Sequence, residues 1–438
     1  MTEATAVPAT SLHKQAVDRA EQTIRTAGSI AEADDRWRVL DRLRRPDRVI
    51  RFRVTWLDDL GKVQINNGWR VQYSNALGPY KGGLRFDGAV DEDTLLFLGY
   101  EQCFKNALTG LPIGGGKGGA DCTMRDLSET ERMRFCQAFM AEYHRHGGPD
   151  IDVPAGDIGV GAKEIGYLFG AYRRLTGLHH GVLTGKPLVL GGLAGRAEAT
   201  GYGVVEFARL MLEEQDAHLR GQRVAISGSG NVALYAAQRA LELGARVLTL
   251  SGRAGFAHFE DGLSEALLER IIDARENNGH RLEDMVRGES GVNFVAGGEP
   301  WDVACDVALP CATQNELDGA AAEKLIGAGV KAVAEGANMP LTDDANDAFI
   351  DAKIPVGPGK AANAGGVACS ALEMSQNAQH ATWDKQTTLD RLDGIIGSIH
   401  RACVRHAGTE DGFVDYNRGA DVAGFRKLAD AIIAQGVV

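Results

Sequence analysis

The segment Gly221–Gly252, GQRVAISGSGNVALYAAQRALELGARVLTLSG, limits the possible folds more than any other part of this sequence. It contains a short β-branched run, a glycine turn, a helical stretch with alanines on one face, and a second β-branched run. This order predicts a βαβ unit with GSGNVA at the turn from strand to helix. Gly228 permits the tight turn, Gly230 lets a diphosphate approach the backbone, and Ala233 allows close packing of the helix on the strand. The sequence therefore predicts an α/β fold with a dinucleotide-binding unit.

Other short apolar runs extend this architecture. VNFV, CDVALP, KAVAEGAN and KIPVGPG alternate with helical patterns and predict that a parallel sheet continues to about Gly357. Upstream, alternating residues in Val49–Trp56, VQI and WRVQYS predict antiparallel strands that turn at Asn66–Gly68. Asp91–Gly110 predicts a helix with acidic residues in its first turn. After Ala361–Gly366 only helical patterns remain, and we expect them to pack on the first part of the chain or to bridge both parts.

Charge and cysteine content narrow the classes of partner. The 47 basic and 59 acidic residues give a net charge of −12, which argues against nonspecific binding to nucleic acid or anionic membranes. The seven cysteines are scattered without a CxxC pair, which is typical of a reduced, cytoplasmic protein. His144 and His146 have no carboxylate or cysteine cluster at ligand spacing, so we expect no metal site. No apolar run approaches the length that crosses a bilayer.

Lys117 stands among five glycines in LPIGGGKGGADC. A P-loop would require Ser or Thr after this lysine to bind magnesium, whereas Gly118 follows it. Bare backbone would instead let a small substrate lie against the lysine amine and exclude water. Burial and nearby cations would then lower the pKa of Lys117, so that it could act as a base and as an acid.

Four other polar residues extend this constellation. Lys81 in GPYKGGLRF and Lys105 in FKNAL would repel Lys117 unless an anion such as a dicarboxylate lies among them. Gln102 falls on the same helical face as Lys105. Asp157 in VPAGDIGVG would favour the charged forms of the lysines and could relay protons, although an ordinary glycine-rich turn would also explain an aspartate there.

Long motifs in the chain resemble those of the hexameric bacterial type of glutamate dehydrogenase, in the Glu/Leu/Phe/Val dehydrogenase superfamily. They occur in order from about Arg36 to Val438 and include GYEQCFKNALTGLPIGGGKGGAD, DVPAGDIGVGAKEIGY, AEATGYG, LPCATQNEL, KAVAEGANMP and GKAANAGGVACSALEMSQN. The resemblance implies reversible oxidative deamination of L-glutamate to 2-oxoglutarate and ammonium. It also implies a homohexamer. The implied fold has a substrate-binding domain with a mixed sheet (1–192), a Rossmann-like domain (193–364) and C-terminal helices (365–438) that pack back on the first domain. The active site would lie in the cleft between the two domains.

The resemblance also implies roles for individual residues. Lys117 would be the catalytic lysine and Asp157 its proton-transfer partner. Lys81 and Ser370 would bind the side-chain carboxylate of the substrate, and Gln102 and Lys105 its α-carboxylate. The backbone near Gly156 would complete the pocket, with Ala155 and Val367 along its wall. The implied cofactor contacts are Thr200, Gly228, Ser229, Gly230, Asn231, Val232 and Asn338.

Three questions stay open at the level of sequence. An acid at the end of the second strand of the βαβ unit would bind a ribose 2′-hydroxyl, but this chain has Gly252 and Arg253, which favours NADP with NAD as the alternative. Leucine and phenylalanine dehydrogenases share the lysine chemistry, yet an unpaired Lys81 would be costly in their apolar pockets. A nucleotide-binding regulatory protein without catalytic activity is the alternative from a different class, and the intact lysines and Asp157 argue against it.

Overall fold

The computed structural model describes residues 11–28, 36–179, 181–278, 281–410 and 412–437 of the 438-residue chain. Two large sheets dominate it. The first sheet consists of β1 (Arg48–Leu57), β2 (Val63–Ser74), β3 (Tyr80–Phe86), β4 (Gly115–Ala120) and β5 (Asp152–Gly156). The second consists of β6 (Arg223–Ile226), β7 (Arg246–Gly252), β8 (Gly255–Phe259), β9 (Val292–Ala296), β10 (Val307–Leu309), β11 (Ala332–Ala334) and β12 (Val356–Gly357). The two-stranded ribbon of β13 (Thr409–Glu410) and β14 (Phe413–Val414) is separate from both.

The helices cover the faces of these sheets. Their bounds are α1 (Leu12–Thr26), α2 (Val39–Leu43), α3 (Glu92–Leu108), α4 (Glu129–Tyr143), α5 (Ala162–Thr176), α6 (Ala199–Glu213), α7 (Asn231–Glu242), α8 (Glu265–Asn278), α9 (Leu282–Met285), α10 (Gly319–Gly327), α11 (Asp343–Asp351), α12 (Gly359–Ala362), α13 (Gly365–Ala378), α14 (Lys385–His406) and α15 (Tyr416–Gln435). Short 3-10 helices occur at Met124–Asp126, Leu188–Leu190 and Pro300–Asp302. Among the described residues no helix has the length and apolar character needed to cross a membrane.

The first sheet has the order β1-β2-β4-β3-β5 and is mixed, as expected. β1 and β2 are antiparallel, but the predicted turn at Asn66–Gly68 is wrong, because β2 runs straight through these residues. The hairpin instead turns between Leu57 and Val63. The backbone N–H and the side-chain amide of Asn67 both donate to the Asp121 carboxylate, and a Cβ on Gly68 would lie 2.4 Å from the Phe52 ring. Contacts with distant parts of the chain therefore hold this segment extended.

The second sheet has the order β12-β11-β10-β6-β7-β8-β9 and contains the predicted βαβ unit as β6, α7 and β7. The strands from β12 to β7 are parallel to one another, as predicted. VNFV, however, belongs to β9, which is antiparallel to β8. The tight connection between β7 and β8, with Gly252 opposite Gly255, reverses the chain direction before a crossover helix could form.

The predicted helix Asp91–Gly110 is confirmed as α3, and the Asp91 side chain caps it by accepting the Thr94 backbone N–H at 2.8 Å. The C-terminal helices contact both parts of the chain. Phe425 of α15 packs in one core with Leu95 of α3, and Ile396 of α14 packs in another with Phe207 of α6. The ribbon β13–β14 was not expected from the helical patterns. The domain boundaries at 192/193 and 364/365 stay a prediction.

Candidate active site

The Lys117 amine and the Asp157 carboxylate form an ion pair inside the molecule. Lys117 lies in the middle of β4, opposite Val71 of β2, and Asp157 directly follows β5. Lys117 Nζ lies 2.8 Å from Asp157 Oδ2, and the lysine residue is only 6% exposed. Arg85 of β3 donates from its Nε to the same carboxylate oxygen at 3.1 Å. The two residues predicted for proton transfer are therefore in contact, together with an arginine that the sequence analysis did not select.

The surroundings lower the pKa of both Lys117 and Asp157. Burial lowers the pKa of Lys117, the negative charge of Asp157 opposes this, and Arg85 adds to the lowering. Burial raises the pKa of Asp157, but Lys117 and Arg85 outweigh it, so that the pKa of this carboxyl stays below its ordinary value. The carboxylate is therefore ionised near neutral pH, and the amine beside it loses its proton more easily than an exposed lysine does.

The glycines around Lys117 have a different cause from the one inferred from sequence. The space beside them is filled by neighbouring protein atoms rather than left free for a substrate. A Cβ on Gly119 would lie 2.2 Å from the Arg85 carbonyl oxygen, and one on Gly82 would lie 1.7 Å from the Gly116 carbonyl oxygen. Because these contacts involve backbone, no side-chain movement could relieve them. The glycine run therefore allows β3 and β4 to pass unusually close to each other and to their neighbours.

The same glycines leave room for a buried arginine. A Cβ on Gly118 would lie 2.9 Å from Cδ of Arg70, whose side chain crosses the sheet from β2 to Asp152 at the start of β5. Arg70 donates to both Asp152 oxygens, from Nη2 at 2.5 Å and from Nε at 2.9 Å, and both side chains are fully buried. Its Nη1 also donates to the Gly82 carbonyl at 3.1 Å. This ion pair joins β2 to β5 across β4 and β3, the strands that carry Lys117 and Lys81.

Lys81 is fully buried in β3, and its amine donates to the Thr184 hydroxyl at 2.8 Å. Burial is the main cause that lowers the pKa of Lys81 to about 7, and the charge of Arg70 contributes to the shift. A buried amine whose partner is a neutral hydroxyl is well suited to an anionic ligand, because a bound anion would restore the charged form. Thr184 was not selected from the sequence, because it lies 103 residues from Lys81 and matches no motif on its own.

Helix α13 carries Ser370 and is attached to the Thr184 loop through a buried ion pair. Glu373, one helical turn after Ser370, accepts the Gly185 backbone N–H at 2.8 Å and lies 2.7 Å from the Lys186 amine. Ser370 itself is 2% exposed. Glu373 also raises the pKa of Lys81 against the effect of burial, which places its charge near that amine. The attachment fixes Ser370 relative to the loop that contacts Lys81.

Lys105 and Gln102 lie on one face of α3. The Lys105 amine donates to the side-chain oxygen of Asn363, and Gln102 donates to Asn106 at 2.7 Å. Burial lowers the pKa of Lys105 to about 8, with a further contribution from the charge of Lys117. Asn363 follows α12 and also donates to Asn338 at 3.2 Å. It thereby connects a predicted substrate lysine with a predicted cofactor residue.

Arg196 is a further cation of the site that the motif analysis did not assign. Its charge lowers the pKa of both Lys81 and Lys105, and its Nε is buried without a hydrogen-bond partner in the described part of the chain. It lies near Gly366, where a Cβ would be 3.6 Å from its guanidinium and 2.6 Å from the Thr200 hydroxyl. The start of α6 and the segment before it therefore bring Thr200 and a positive charge to the start of α13.

The glycine turn of the βαβ unit is open at the start of α7. Gly228 adopts φ +89°. Gly230 is the N-cap residue of α7 and has no side chain that could bond to the free N–H groups of the helix. A Cβ on Gly230 would meet no atom within 4 Å. Asn231 is exposed at the first helical position, next to the half-buried Ser229 and Val232. The unpaired N–H groups of this first turn, facing open space, fit the diphosphate of a dinucleotide.

The other predicted residues lie on several different elements. Ala155 and Gly156 end β5 opposite Gly83 and Leu84 of β3. Val367 is half-buried in the first turn of α13, Asn338 is exposed after β11, and Arg253 is exposed after β7. Within the described ranges, no three His, Cys, Asp or Glu side chains are grouped so that they could bind a metal ion.

Family profiles match most of this chain. The profile of the Glutamate/Leucine/Phenylalanine/Valine dehydrogenase family matches residues 191–436, and that of the Glu/Leu/Phe/Val dehydrogenase dimerisation domain matches residues 46–174. The chain belongs to the Glu/Leu/Phe/Val dehydrogenase family. This membership confirms the resemblance drawn from the sequence motifs.

Individual relatives of this Glu/Leu/Phe/Val dehydrogenase are similar over nearly their whole length. The NADP-specific glutamate dehydrogenase of Salmonella typhi is 51% identical over 95% of this chain and 94% of its own. The NAD-specific glutamate dehydrogenase of Bacteroides fragilis is 50% identical over 92% of this chain and 90% of its own.

Solved structures are similar in fold. A glutamate dehydrogenase structure superposes with a TM-score of 0.94 at 42% identity and covers 98% of this chain, with 96% of its own chain covered. A hetero-hexameric glutamate dehydrogenase from Thermus thermophilus, in a leucine-bound form, superposes with a TM-score of 0.86 at 27% identity over 100% of both chains. The α/β fold with two mixed sheets is therefore shared with glutamate dehydrogenases.

Proposed function

We propose that this Glu/Leu/Phe/Val dehydrogenase is an NADP-dependent L-glutamate dehydrogenase that interconverts L-glutamate with 2-oxoglutarate and ammonium. The observation that carries the proposal is the buried Lys117–Asp157 pair, with its Nζ to Oδ2 distance of 2.8 Å, in a site that also contains the cations Lys81, Lys105, Arg85 and Arg196. A small dicarboxylate would compensate these positive charges, and a proton-transfer pair lies among them. Glutamate dehydrogenases among the relatives support this choice of substrate.

We assign Lys81 and Lys105 to different carboxylates of glutamate. Lys81, with the Thr184 hydroxyl beside it and Ser370 on α13, would bind the side-chain carboxylate. Lys105 and Gln102 of α3 would bind the α-carboxylate, with the backbone near Gly156 closing that end. Ala155 and Val367 would line the wall between these ends. Glutamate held in this way would present its α-carbon to Lys117.

Lys117 and Asp157 would carry the proton transfers. When bound, the nicotinamide supplies the hydride acceptor for the α-carbon of glutamate. Lys117 in its neutral form would then take a proton from the water that attacks the resulting iminium carbon. Asp157 would shuttle protons to and from the substrate nitrogen as ammonia leaves. The reverse sequence would add ammonium to 2-oxoglutarate.

The open turn at Gly228–Gly230 fits the cofactor diphosphate, and Thr200, Ser229, Asn231, Val232 and Asn338 are the proposed contacts around it. Arg253 is the proposed contact for the 2′-phosphate of NADP, and NAD is the alternative cofactor. We further propose a substrate domain, a Rossmann-like domain and a cleft between them at the predicted boundaries. A homohexamer and a cytoplasmic location are also part of this proposal, and the hetero-hexameric relative supports an assembly of six subunits.

Initial rates test the proposal. Purified protein should oxidise NADPH when 2-oxoglutarate and ammonium are both present, and it should be much slower with phenylpyruvate or 4-methyl-2-oxopentanoate. Faster turnover with either apolar oxoacid would indicate a leucine- or phenylalanine-type dehydrogenase. Cofactor binding without turnover of any oxoacid would instead support the regulatory, nucleotide-binding alternative.

We predict that Lys81→Met removes the preference for a dicarboxylate. Loss of a charged hydrogen bond to the side-chain carboxylate should lower kcat/KM for 2-oxoglutarate roughly 10- to 100-fold. The value for 2-oxopentanoate, which has no second carboxylate, should stay constant or rise, because the cost of a buried amine disappears. Lys163→Met is the matched control, since Lys163 is an exposed lysine that pairs with Glu129 at 3.0 Å. An equal fall for both oxoacids would exclude Lys81 from side-chain selection.

A further inference from the structure

The carboxyl end of β7 is attached directly to the glycine turn that would hold the cofactor diphosphate. The Gly228 backbone N–H donates to the Ser251 hydroxyl at 2.7 Å, and the Ser251 backbone N–H donates to the Gly228 carbonyl at 3.1 Å. The next residue, Gly252, is therefore close to the position of the adenosine ribose, where dinucleotide-binding folds commonly place an acid. Gly252 has no side chain to serve there.

A carboxylate from another element lies at this position. A Cβ on Gly252 would be 3.9 Å from Oε2 of Glu283 and 4.0 Å from Oγ of Ser229. Glu283 belongs to α9, and its neighbour Leu282, 2% exposed, anchors this short helix in the core of the second sheet. The Glu283 side chain is only 21% exposed. β7 has no acid at Gly252, but the carboxylate of Glu283, which lies 31 positions later in the chain, is next to that position.

Two exposed arginines lie close to Glu283 or to Gly252. Nη1 of Arg281 lies 3.8 Å from Oε1 of Glu283, and the Arg281 side chain is 80% exposed. Arg253 is exposed one residue beyond Gly252, and within the described residues no ion pair involves it. The ribose end of the site therefore combines one partly buried carboxylate with two solvent-facing cations.

We propose that Glu283 is a cofactor-specificity residue, which accepts a hydrogen bond from the ribose 2′-hydroxyl of NAD and disfavours the 2′-phosphate of NADP. Arg253 and Arg281 act against it by pairing with that phosphate. The preference for NADP is therefore weaker than Arg253 alone implies, and the site accepts both dinucleotides. This inference rests on the proposed function, because it assumes that a nicotinamide dinucleotide binds at the Gly228–Gly230 turn.

Binding of cofactor fragments tests the role of Glu283 without any turnover. Isothermal titration of the full-length protein with 2′,5′-ADP and with 5′-ADP measures the contribution of the 2′-phosphate as a ratio of the two affinities. Glu283→Gln should raise the affinity for 2′,5′-ADP about 10-fold relative to 5′-ADP, since a neutral amide no longer repels the phosphate. Arg253→Gln should change the ratio in the opposite direction.

Asp284→Asn is the matched control, because Asp284 is the next residue, carries the same charge and pairs with Arg287 at 3.0 Å. A ratio for Glu283→Gln equal to that of Asp284→Asn would overturn the role of Glu283, and Glu283→Ala provides an independent second variant for the same comparison. Wild-type protein that binds neither fragment would overturn the dinucleotide site itself, and with it the proposed function. Fragment binding with an unchanged ratio would overturn only this inference.

Discussion

Replacing Lys117 with alanine is expected to reduce kcat for both glutamate oxidation and 2-oxoglutarate amination by roughly 10²- to 10⁴-fold, the usual contribution of a general acid or base. The variant loses the only amine that contacts Asp157 in the described part of the chain. It should still bind NADPH, because Lys117 lies in β4 and the cofactor turn lies between β6 and α7. Single-turnover rates and NADPH fluorescence titration measure the two quantities separately.

The pH profile should identify Lys117 as the group that titrates. Only the neutral amine can accept a proton, so the rate of deamination should rise as the pH increases through the pKa of Lys117. Burial and Arg85 lower that pKa, so the rise should be centred below the ordinary lysine value of 10.5. In Asp157→Asn the centre should move further down, because the negative charge that raises the pKa of Lys117 is lost.

Lys163→Ala serves as the control for Lys117→Ala, because it removes an exposed lysine from the same part of the chain. Wild-type turnover in Lys117→Ala would refute the proposed chemistry. A uniform loss of turnover and of NADPH affinity would point to a disturbed fold instead of a lost base.

Local patterns predicted the elements of the fold well where neighbouring residues determine the structure. The βαβ unit and helix α3 depend on a glycine turn, an acidic first turn and helical periodicity, which are all local. The turn predicted at Asn66–Gly68 failed because Asp121 and Phe52, both distant in sequence, hold that segment extended. The direction of β9 failed for a related reason, since a short run of apolar residues carries no information about strand orientation.

In the site, too, residues within motifs could be identified from the sequence, whereas contacts between distant residues could not. Lys117, Asp157, Lys81 and Lys105 were identified from motifs, whereas their roles stay predictions. Thr184 lies beside Lys81, 103 positions away, and Glu283 lies beside Gly252, 31 positions away, and neither Thr184 nor Glu283 lies in a motif. Arg85 was visible inside GPYKGGLRF, but only the structure shows that its guanidinium bonds to Asp157. A contact between separate strands or loops cannot be read from spacing.

Breaking the buried Arg70–Asp152 pair should have the largest effect on stability. In Arg70→Met the Asp152 carboxylate would stay fully buried and would keep the hydrogen bond from the Gln72 amide, at 2.9 Å, but would no longer have a cationic partner from Arg70. Removing one partner of a buried ion pair typically costs about 3–5 kcal/mol of the free energy of unfolding, because an uncompensated charge remains inside. Urea unfolding followed by far-UV circular dichroism should show this as a lower transition midpoint.

Arg19→Met is the control for this prediction, since Arg19 and its partner Asp343 have side chains 62% and 76% exposed. Exposed pairs of this kind contribute about 1 kcal/mol or less, so the control should shift the midpoint only slightly. Equal shifts in the two variants would mean that the buried pair does not hold the first sheet together. A large shift in Arg70→Met alone would show that the arginine beside Gly118 is important for stability. A Cβ on Gly118 would lie 2.9 Å from Cδ of Arg70, so a side chain there would displace the arginine from its path to Asp152. Gly118 would then be required by the buried ion pair as well as by the Trp69 carbonyl oxygen, 2.8 Å from the same Cβ, whereas Gly119 is required by the backbone of Arg85.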